Sequence, residues 1–182
     1  MYRGNRVELV AVEREHLTAF LAWMNDPATR RLLSDAPILP LTLEDEERWL
    51  VDLRAGRCGY VFSIVTLEGR RLVGNCCLKD VDWPNRRAAA GIVIGDPADR
   101  GRGLGRDAIQ VLLEFAFRWL GLNRVEVAVG AENEQALCCY RACGFSEEGR
   151  RREFSARGDG FEDEVLMAVL RREWKQQRGK AG

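Results

Sequence analysis

Apolar positions along the chain fall into two periods. Arg6 to Val12 alternates as a strand does, after which Leu17, Phe20, Leu21 and Met24 recur at helical spacing until Asn25, Asp26 and Pro27 interrupt them. The spacing predicts a strand followed by a helix. A second helix is predicted from about Thr42, with Asp45 as its reciprocal capping partner; it buries Trp49, Leu50 and Leu53 and ends at Gly56. Tyr60 to Leu67 and Arg71 to Leu78 read as strands joined through Glu68, Gly69 and Arg70, and a further strand follows at about Ala88 to Ile94. The most regular helix covers about Gly105 to Leu120, with Ile109, Leu112, Leu113, Ala116 and Leu120 on one face before Gly121 closes it. Val125, Val127 and Val129 alternate as a strand. Glu134 to Ala142 reads as a short helix capped by Asn133 and ended by Gly144. Two last strands flank Arg157 to Gly160, whose Asp-Gly suits a tight turn, and the second carries Val165 to Leu170. This order implies a mixed sheet covered by helices.

Composition narrows the picture. A chain of 182 residues suits one domain, expected over 1–174, with 175–182 as a polar tail. Its 28 basic and 28 acidic residues cancel, so no summed field draws it to nucleic acid or an anionic membrane. The first residues lack the apolar stretch of a signal peptide, and no apolar run is long enough to span a bilayer, so a cytoplasmic location is expected. The six cysteines include no C-x-x-C pair, and Cys76 and Cys77 would point to opposite faces of a strand; small buried thiols are the expectation. His16, the only histidine, falls on a charged helical stretch and is expected at the surface, leaving no material for a histidine triad or a metal site.

The chemistry concentrates in Gly91 to Asp107, where a strand passes through a glycine-rich loop into a helix. Gly101, Gly103 and Gly105 remove side chains that would keep a ligand from the backbone, and the first N–H groups of the helix have no intrahelical acceptor. Arg100, Arg102 and Arg106 add positive charge. A diphosphate would satisfy such donors and meet the positive end of the helix dipole. A P-loop is excluded because no Gly-Lys is followed by Ser or Thr, and the dinucleotide fingerprint fails because Arg106 stands where its last glycine belongs.

What does fit is R-x-x-G-x-G at Arg100, Gly103 and Gly105, followed after the next strand by N-x-x-A-x-x-x-Y-x-x-x-G-F at Asn133, Ala136, Tyr140, Gly144 and Phe145. In these two motifs and their order the chain resembles the GNAT superfamily of N-acetyltransferases. The stretch from Glu148 through the Asp159-Gly160 turn to Val165 resembles its Rim-type (ribosomal-protein N-terminal) and spermidine acetyltransferase branches. The likeness extends to about Trp174. It implies an α/β (α+β) fold with a mixed, mostly antiparallel central sheet of about seven strands and about four flanking helices. It also implies acetyl-coenzyme A as cofactor, direct acetyl transfer to a primary amine in a ternary complex, and allows for a homodimer.

By the same resemblance, the cofactor is held by Ile92, Val93 and Ile94, by the loop Arg100, Gly101, Arg102, Gly103, Leu104, Gly105 and Arg106, and by Asn133, Ala136 and Tyr140. Tyr140 is the implied acid: a phenol with a reference pKa of about 10 is protonated at neutral pH and can donate to a departing thiolate. Its plainer reading is a core aromatic on the face shared with Ala136 and Leu137, and Asn133 may be read equally as a helix cap. No metal is implied. Relatives carry a glutamate on the fourth strand as general base, and here that position is Ala89. Such a gap is less serious for an α-amine, with a reference pKa of about 8, than for a lysine-like amine at about 10.4. Acceptors are therefore expected to be protein or peptide N-termini or other low-pKa amines, or else Asp80, Asp82 or Glu46 substitutes as base through water. Trp83 is a candidate acceptor platform. The alternatives are a polyamine or amino-sugar (aminoglycoside) acceptor, the run Glu44 to Glu47 being the attraction, and a non-catalytic module that only binds acetyl-coenzyme A.

Overall fold

The structure is a computed structural model describing residues 2–33 and 39–179. Strands β1 (Tyr2–Arg3) and β2 (Val7–Val10) open it, followed by helices α1 (Leu17–Asn25), α2 (Pro27–Arg31) and α3 (Leu43–Arg54). The meander is β3 (Tyr60–Thr66), β4 (Leu72–Asp82) and β5 (Arg87–Ile94). Next come α4 (Leu104–Glu114), β6 (Arg124–Gly130), α5 (Glu134–Ala142), the hairpin β7 (Ser146–Arg157) and β8 (Gly160–Leu170), and α6 (Arg171–Gly179). The strands form one sheet in the order β1-β2-β3-β4-β5-β6-β8-β7, antiparallel except for β5 with β6. Eight strands among the described residues stand against about seven expected; the extra one is β1, two residues too short to show a period.

Local signals explain most boundaries. Thr42 caps α3 in a reciprocal box with Asp45, an arrangement in which the capping residue contributes about 1 kcal/mol. Asp26 both follows α1 and caps α2, accepting the Thr29 N–H at 2.8 Å with Pro27 as the first helical residue. In sequence this Asp-Pro signals only a helix stop, and α2 is an addition to the expected elements. The helix expected to reach Leu120 is α-helical only to Glu114; Phe115–Trp119 forms a wider π-helical turn closed by the Leu120 N–H on the Phe115 carbonyl at 3.1 Å. The end of the chain is also different from expectation. Residues 175–179, read as tail, continue α6, whose Trp174 lies 5.5 Å from the Phe117 ring; 180–182 lie outside the described residues.

The core is divided by the sheet. One face, with Val7, Leu9, Cys76, Leu78, Ala88, Ala90, Val125 and Val127, packs on Ile109, Leu112 and Leu113 of α4 and on Leu137 and Tyr140 of α5. A second cluster joins Val12, Leu17, Phe20 and Leu50 of the α1–α3 layer to Val61 and Leu72. Cys76 and Cys77 do face opposite ways; all six cysteines are free, Cys76 and Cys143 buried but Cys138 exposed. His16 is not at the surface as expected. It sits in a 3-10 turn with its side chain only 12% exposed, Nδ1 accepting the Glu13 N–H at 3.1 Å and lying 2.8 Å from Ser63 Oγ.

Strands β5 and β6 position the site. They pair only over Arg87–Arg124, Ala88–Val125 and Ala89–Glu126, then part. The C-terminal half of β5 is therefore hydrogen-bonded to β4 alone, and an opening is left beside it.

Candidate cofactor and active site

A cavity of about 380 Å³ occupies that opening. Ile92, Val93 and Ile94 of β5 form one wall, and Asn133, Ala136, Cys138 and Cys139 of α5 form another. The loop before α4 contributes Arg100, Gly101, Gly103, Gly105 and Arg106. Thr29, Leu32 and Leu33, in and just after α2, complete it; no sequence signal pointed to them, because α2 itself was not read.

The glycines answer to backbone geometry. Gly101 and Gly103 have φ of +72° and +81°, in the left-handed region that disfavours other residues, and Gly103 caps α4 with no side chain. At Gly105 a methyl would reach Ile94, Ile92 and Cys139 at 3.6, 3.7 and 3.9 Å, and so would stand among side chains that line the cavity. Among the described residues, none of the main-chain N–H groups of residues 101 to 106 has a protein acceptor; the first to have one is that of Asp107, bonded to the Gly103 carbonyl at 3.1 Å. Six consecutive donors at a helix N-terminus beside an open cavity are the arrangement that holds linked phosphates.

The three arginines of the loop have different tasks. Arg100 donates from Nε to the Ile94 carbonyl at 3.0 Å, and from Nη2 to the Gly95 carbonyl and Thr29 Oγ1, both at 2.8 Å. It lines the cavity but acts as a clamp between β5 and α2. Arg102 is not part of the cavity lining; it lies 3.5 Å from Asp99, a lining residue, and shares that carboxylate with Arg71 at 2.5 and 2.6 Å. The Arg71 guanidinium holds the Asp99 carboxyl below the usual range. Arg106 lines the cavity and has no carboxylate partner among the described residues. Leu104 belongs to the core, so only its main chain is available.

Asn133 borders the cavity, and its Oδ1 accepts the Ala136 N–H at 3.1 Å as the cap of α5. Tyr140, on the same helix, is outside the cavity lining and only 6% exposed, its ring 5.2 Å from Phe145. Burial raises its pKa, and the neighbouring thiols of Cys139, Cys77, Cys143 and Cys76 push the same way. Its hydroxyl has no hydrogen-bond partner among the described residues, and Cys139 beside it on α5 lines the cavity.

Taken with the topology, the cradle and the capped second helix decide the family, whose match covers residues 6–146. The chain belongs to the acetyltransferase (GNAT) domain family. The chain is 26% identical over 170 residues to an uncharacterized N-acetyltransferase, p20, of Bacillus licheniformis, covering 93% of this chain and 95% of that one. It is 27% identical to the putative ribosomal N-acetyltransferase YdaF of Bacillus subtilis, over 94% and 87% of the two chains. The fold is shared with the spermidine N-acetyltransferase of Vibrio cholerae solved with CoA and spermine, at a TM-score of 0.84 and 24% identity, over 93% and 98%. This GNAT protein is thus an acetyl-CoA-dependent acyltransferase, and both branches named from its sequence are among its relatives. The open cradle and the unpartnered amides fit the diphosphate of coenzyme A.

The acceptor candidates are not gathered in one place. Asp82 accepts from Asn85 N–H at 3.0 Å, Asn85 Nδ2 at 2.8 Å and Arg87 Nε at 3.2 Å, organising the β4–β5 turn, and these bonds lower its pKa. That turn, with the half-exposed Trp83, is at the far end of β5, roughly 17 Å from Ile92 at about 3.3 Å per residue. Asp80 sits exposed at a bulge of β4 with φ of +52°. None of these three lines the cavity. Ala89 lies in register between Lys79 and Glu126, and the Glu126 carboxylate accepts from Arg124 Nε at 2.8 Å. Glu46 is also outside the cavity lining but differs in its surroundings: it is 8% exposed on α3, its carboxylate has no ion-pair or hydrogen-bond partner among the described residues, and burial raises its pKa.

Proposed function

We propose that this acetyltransferase, as one domain that runs to the end of α6, acetylates the α-amino group of a protein or peptide, or another amine of similarly low pKa. Acetyl-CoA supplies the activated acetyl group, and transfer to the amine is direct, in a ternary complex. The supporting observation is the register around Ala89. Of its two register partners, Lys79 and Glu126, the carboxylate of Glu126 is bonded to Arg124, so among the described residues no free carboxylate stands in register with Ala89 on β5. At pH 7 an α-amine needs roughly 1 kcal/mol to become neutral, and a lysine-like amine several.

Tyr140 keeps its proton on Oη at neutral pH, because burial raises an already weak acid. A phenol that weak stabilises a developing thiolate by donating a hydrogen bond rather than by surrendering the proton outright. Glu46 is proposed as the group that meets the incoming ammonium, since desolvation makes its carboxyl more basic than an ordinary glutamate. The polyamine alternative draws on relatives named as spermidine acetyltransferases. Against it, two of the four carboxylates in the acidic run are engaged: Asp45 caps α3 and bonds Arg48 at 2.9 Å, and Glu47 bonds Arg14 at 2.7 Å.

Release of free thiol from acetyl-CoA, measured with an α-amine peptide, its ε-amine counterpart and spermidine across pH, tests the reading. The α-amine should react fastest at neutral pH. Faster acetylation of the ε-amine or of spermidine there would reverse the assignment.

A further inference from the structure

The cradle amides have no protein partner, and the cap residue Gly103 has no side chain, so nothing inside the loop fixes where those donors stand. They are held from outside, at two points. Arg100 clamps the start of the loop. At its far end stands Asp107, in the first turn of α4 yet only 7% exposed. An acidic residue there is commonly a solvated complement to the helix dipole. Here its Oδ1 accepts the Asn5 N–H at 3.1 Å, and its Oδ2 accepts the N–H groups of Arg6 and Val7 at 2.7 and 2.9 Å.

The bonding is specific to the N-terminal turn. Gly4 closes that turn through its N–H on the Val7 carbonyl at 2.8 Å, and a methyl built on Gly4 would lie 2.4 Å from Asp107 Oδ2. Arg6 adds a fourth tie, from Nη1 to the Arg102 carbonyl at 3.1 Å, within the loop itself. Three main-chain donors also satisfy the carboxylate's charge locally, so it neither draws Arg106 out of the cavity nor opposes an anion in the cradle to the extent a bare carboxylate would.

We propose that Asp107 is a positioning residue for the cofactor: together with the turn at residues 4–7 it sets where the diphosphate-facing amides of 101–106 stand. The inference rests on the reading of this loop as the diphosphate cradle. It makes the N-terminal segment, remote in sequence from both motifs, part of the cofactor site. Misplacing binding groups by about 1 Å can reduce function by about a hundredfold, which sets the scale of the effect.

The test compares wild type with Asp107→Asn, which puts an NH2 against main-chain donors, with Gly4→Ala, which crowds the same carboxylate from the other side, and with Arg6→Met, which removes only the tie to Arg102. Steady-state kinetics and coenzyme A titration calorimetry are read beside thermal unfolding. Asp107→Asn should raise the KM for acetyl-CoA and the Kd for coenzyme A by about tenfold to a hundredfold while kcat at saturation stays near wild type. Gly4→Ala and Arg6→Met should shift the same two constants in the same direction by less. A lower melting temperature with an unchanged Kd in Asp107→Asn would overturn the proposal, as would unchanged Kd in both other variants if Asp107→Asn does not fold. Wild-type protein that fails to bind coenzyme A would instead remove the cradle reading, and this inference with it.

Discussion

Gly105→Ala should make the protein more stable and a poorer binder of coenzyme A. Gly105 is the second residue of α4, and its φ is not in the left-handed region, so alanine fits the backbone. Replacing glycine by alanine within a helix stabilises by about 0.5–1 kcal/mol, with the low end apt for a first turn. In a chain of this size that corresponds to a rise in Tm of roughly 1–4 °C. The new methyl would find ordinary van der Waals contacts, 3.6–3.9 Å to Ile94, Ile92 and Cys139, and no clash. Those side chains line the cavity, so the methyl also occupies space beside the free amides. If it holds a phosphate far enough away to lose one charge-assisted hydrogen bond, the loss is about 1.5–3 kcal/mol, roughly tenfold to a hundredfold in Kd. Differential scanning calorimetry and titration with coenzyme A measure the two effects on one sample. A rise in Tm with an unaltered Kd would mean that no ligand approaches the backbone at Gly105. A fall in Tm would refute the packing argument itself.

Two further variants probe the chemistry. Tyr140→Phe should lower kcat by about tenfold to several hundredfold and leave the Kd for coenzyme A in place; an unchanged kcat in single-turnover assays removes Tyr140 from its role. Glu46→Gln should raise the KM for the amine and also raise stability at neutral pH. Because burial raises the Glu46 carboxyl, its folded state holds the proton more tightly than its unfolded state. Its contribution is therefore fully present below the unfolded value of about 4.3 and is lost as pH rises through the higher folded value. Urea melts of the two proteins should converge as the pH falls into the acid range, and a wild type more stable than Glu46→Gln at pH 7 would show that the carboxylate has a favourable partner.

What could be read from the sequence was what neighbours in sequence determine. The Thr42–Asp45 box, the Asn133 cap and the glycines at 101 and 103 each impose their geometry within four residues, and each stands where the pattern put it. Asp82 and Trp83 lie away from the cavity for a physical reason that the pattern did not show: the bulge at Asp80 lets β4 resume after Lys79 and run on to Asp82, carrying both residues to the distant turn. Asp26 and Pro27 end one helix and begin another, and the stop signal masked the start. Asp107 gave no signal, since its partners are main-chain groups about a hundred positions earlier.

The arginines of the motif carry the same lesson into the energetics of the site. In sequence Arg100, Arg102 and Arg106 look like three equivalent charges for one diphosphate. In the fold Arg100 is bound to three protein oxygens and Arg102 shares Asp99 with Arg71, whereas Arg106 lines the cavity with no side-chain hydrogen bond or ion pair among the described residues. The attraction for phosphate then comes chiefly from oriented amides and the α4 dipole, which are fixed by the backbone and need no reorganisation when the ligand arrives. Fixed dipoles act only where they are aimed. On the proposal made here, that is why Arg100, clamped to protein oxygens at one end of the loop, and Asp107, outside the cavity lining at the other, determine how well the cradle works.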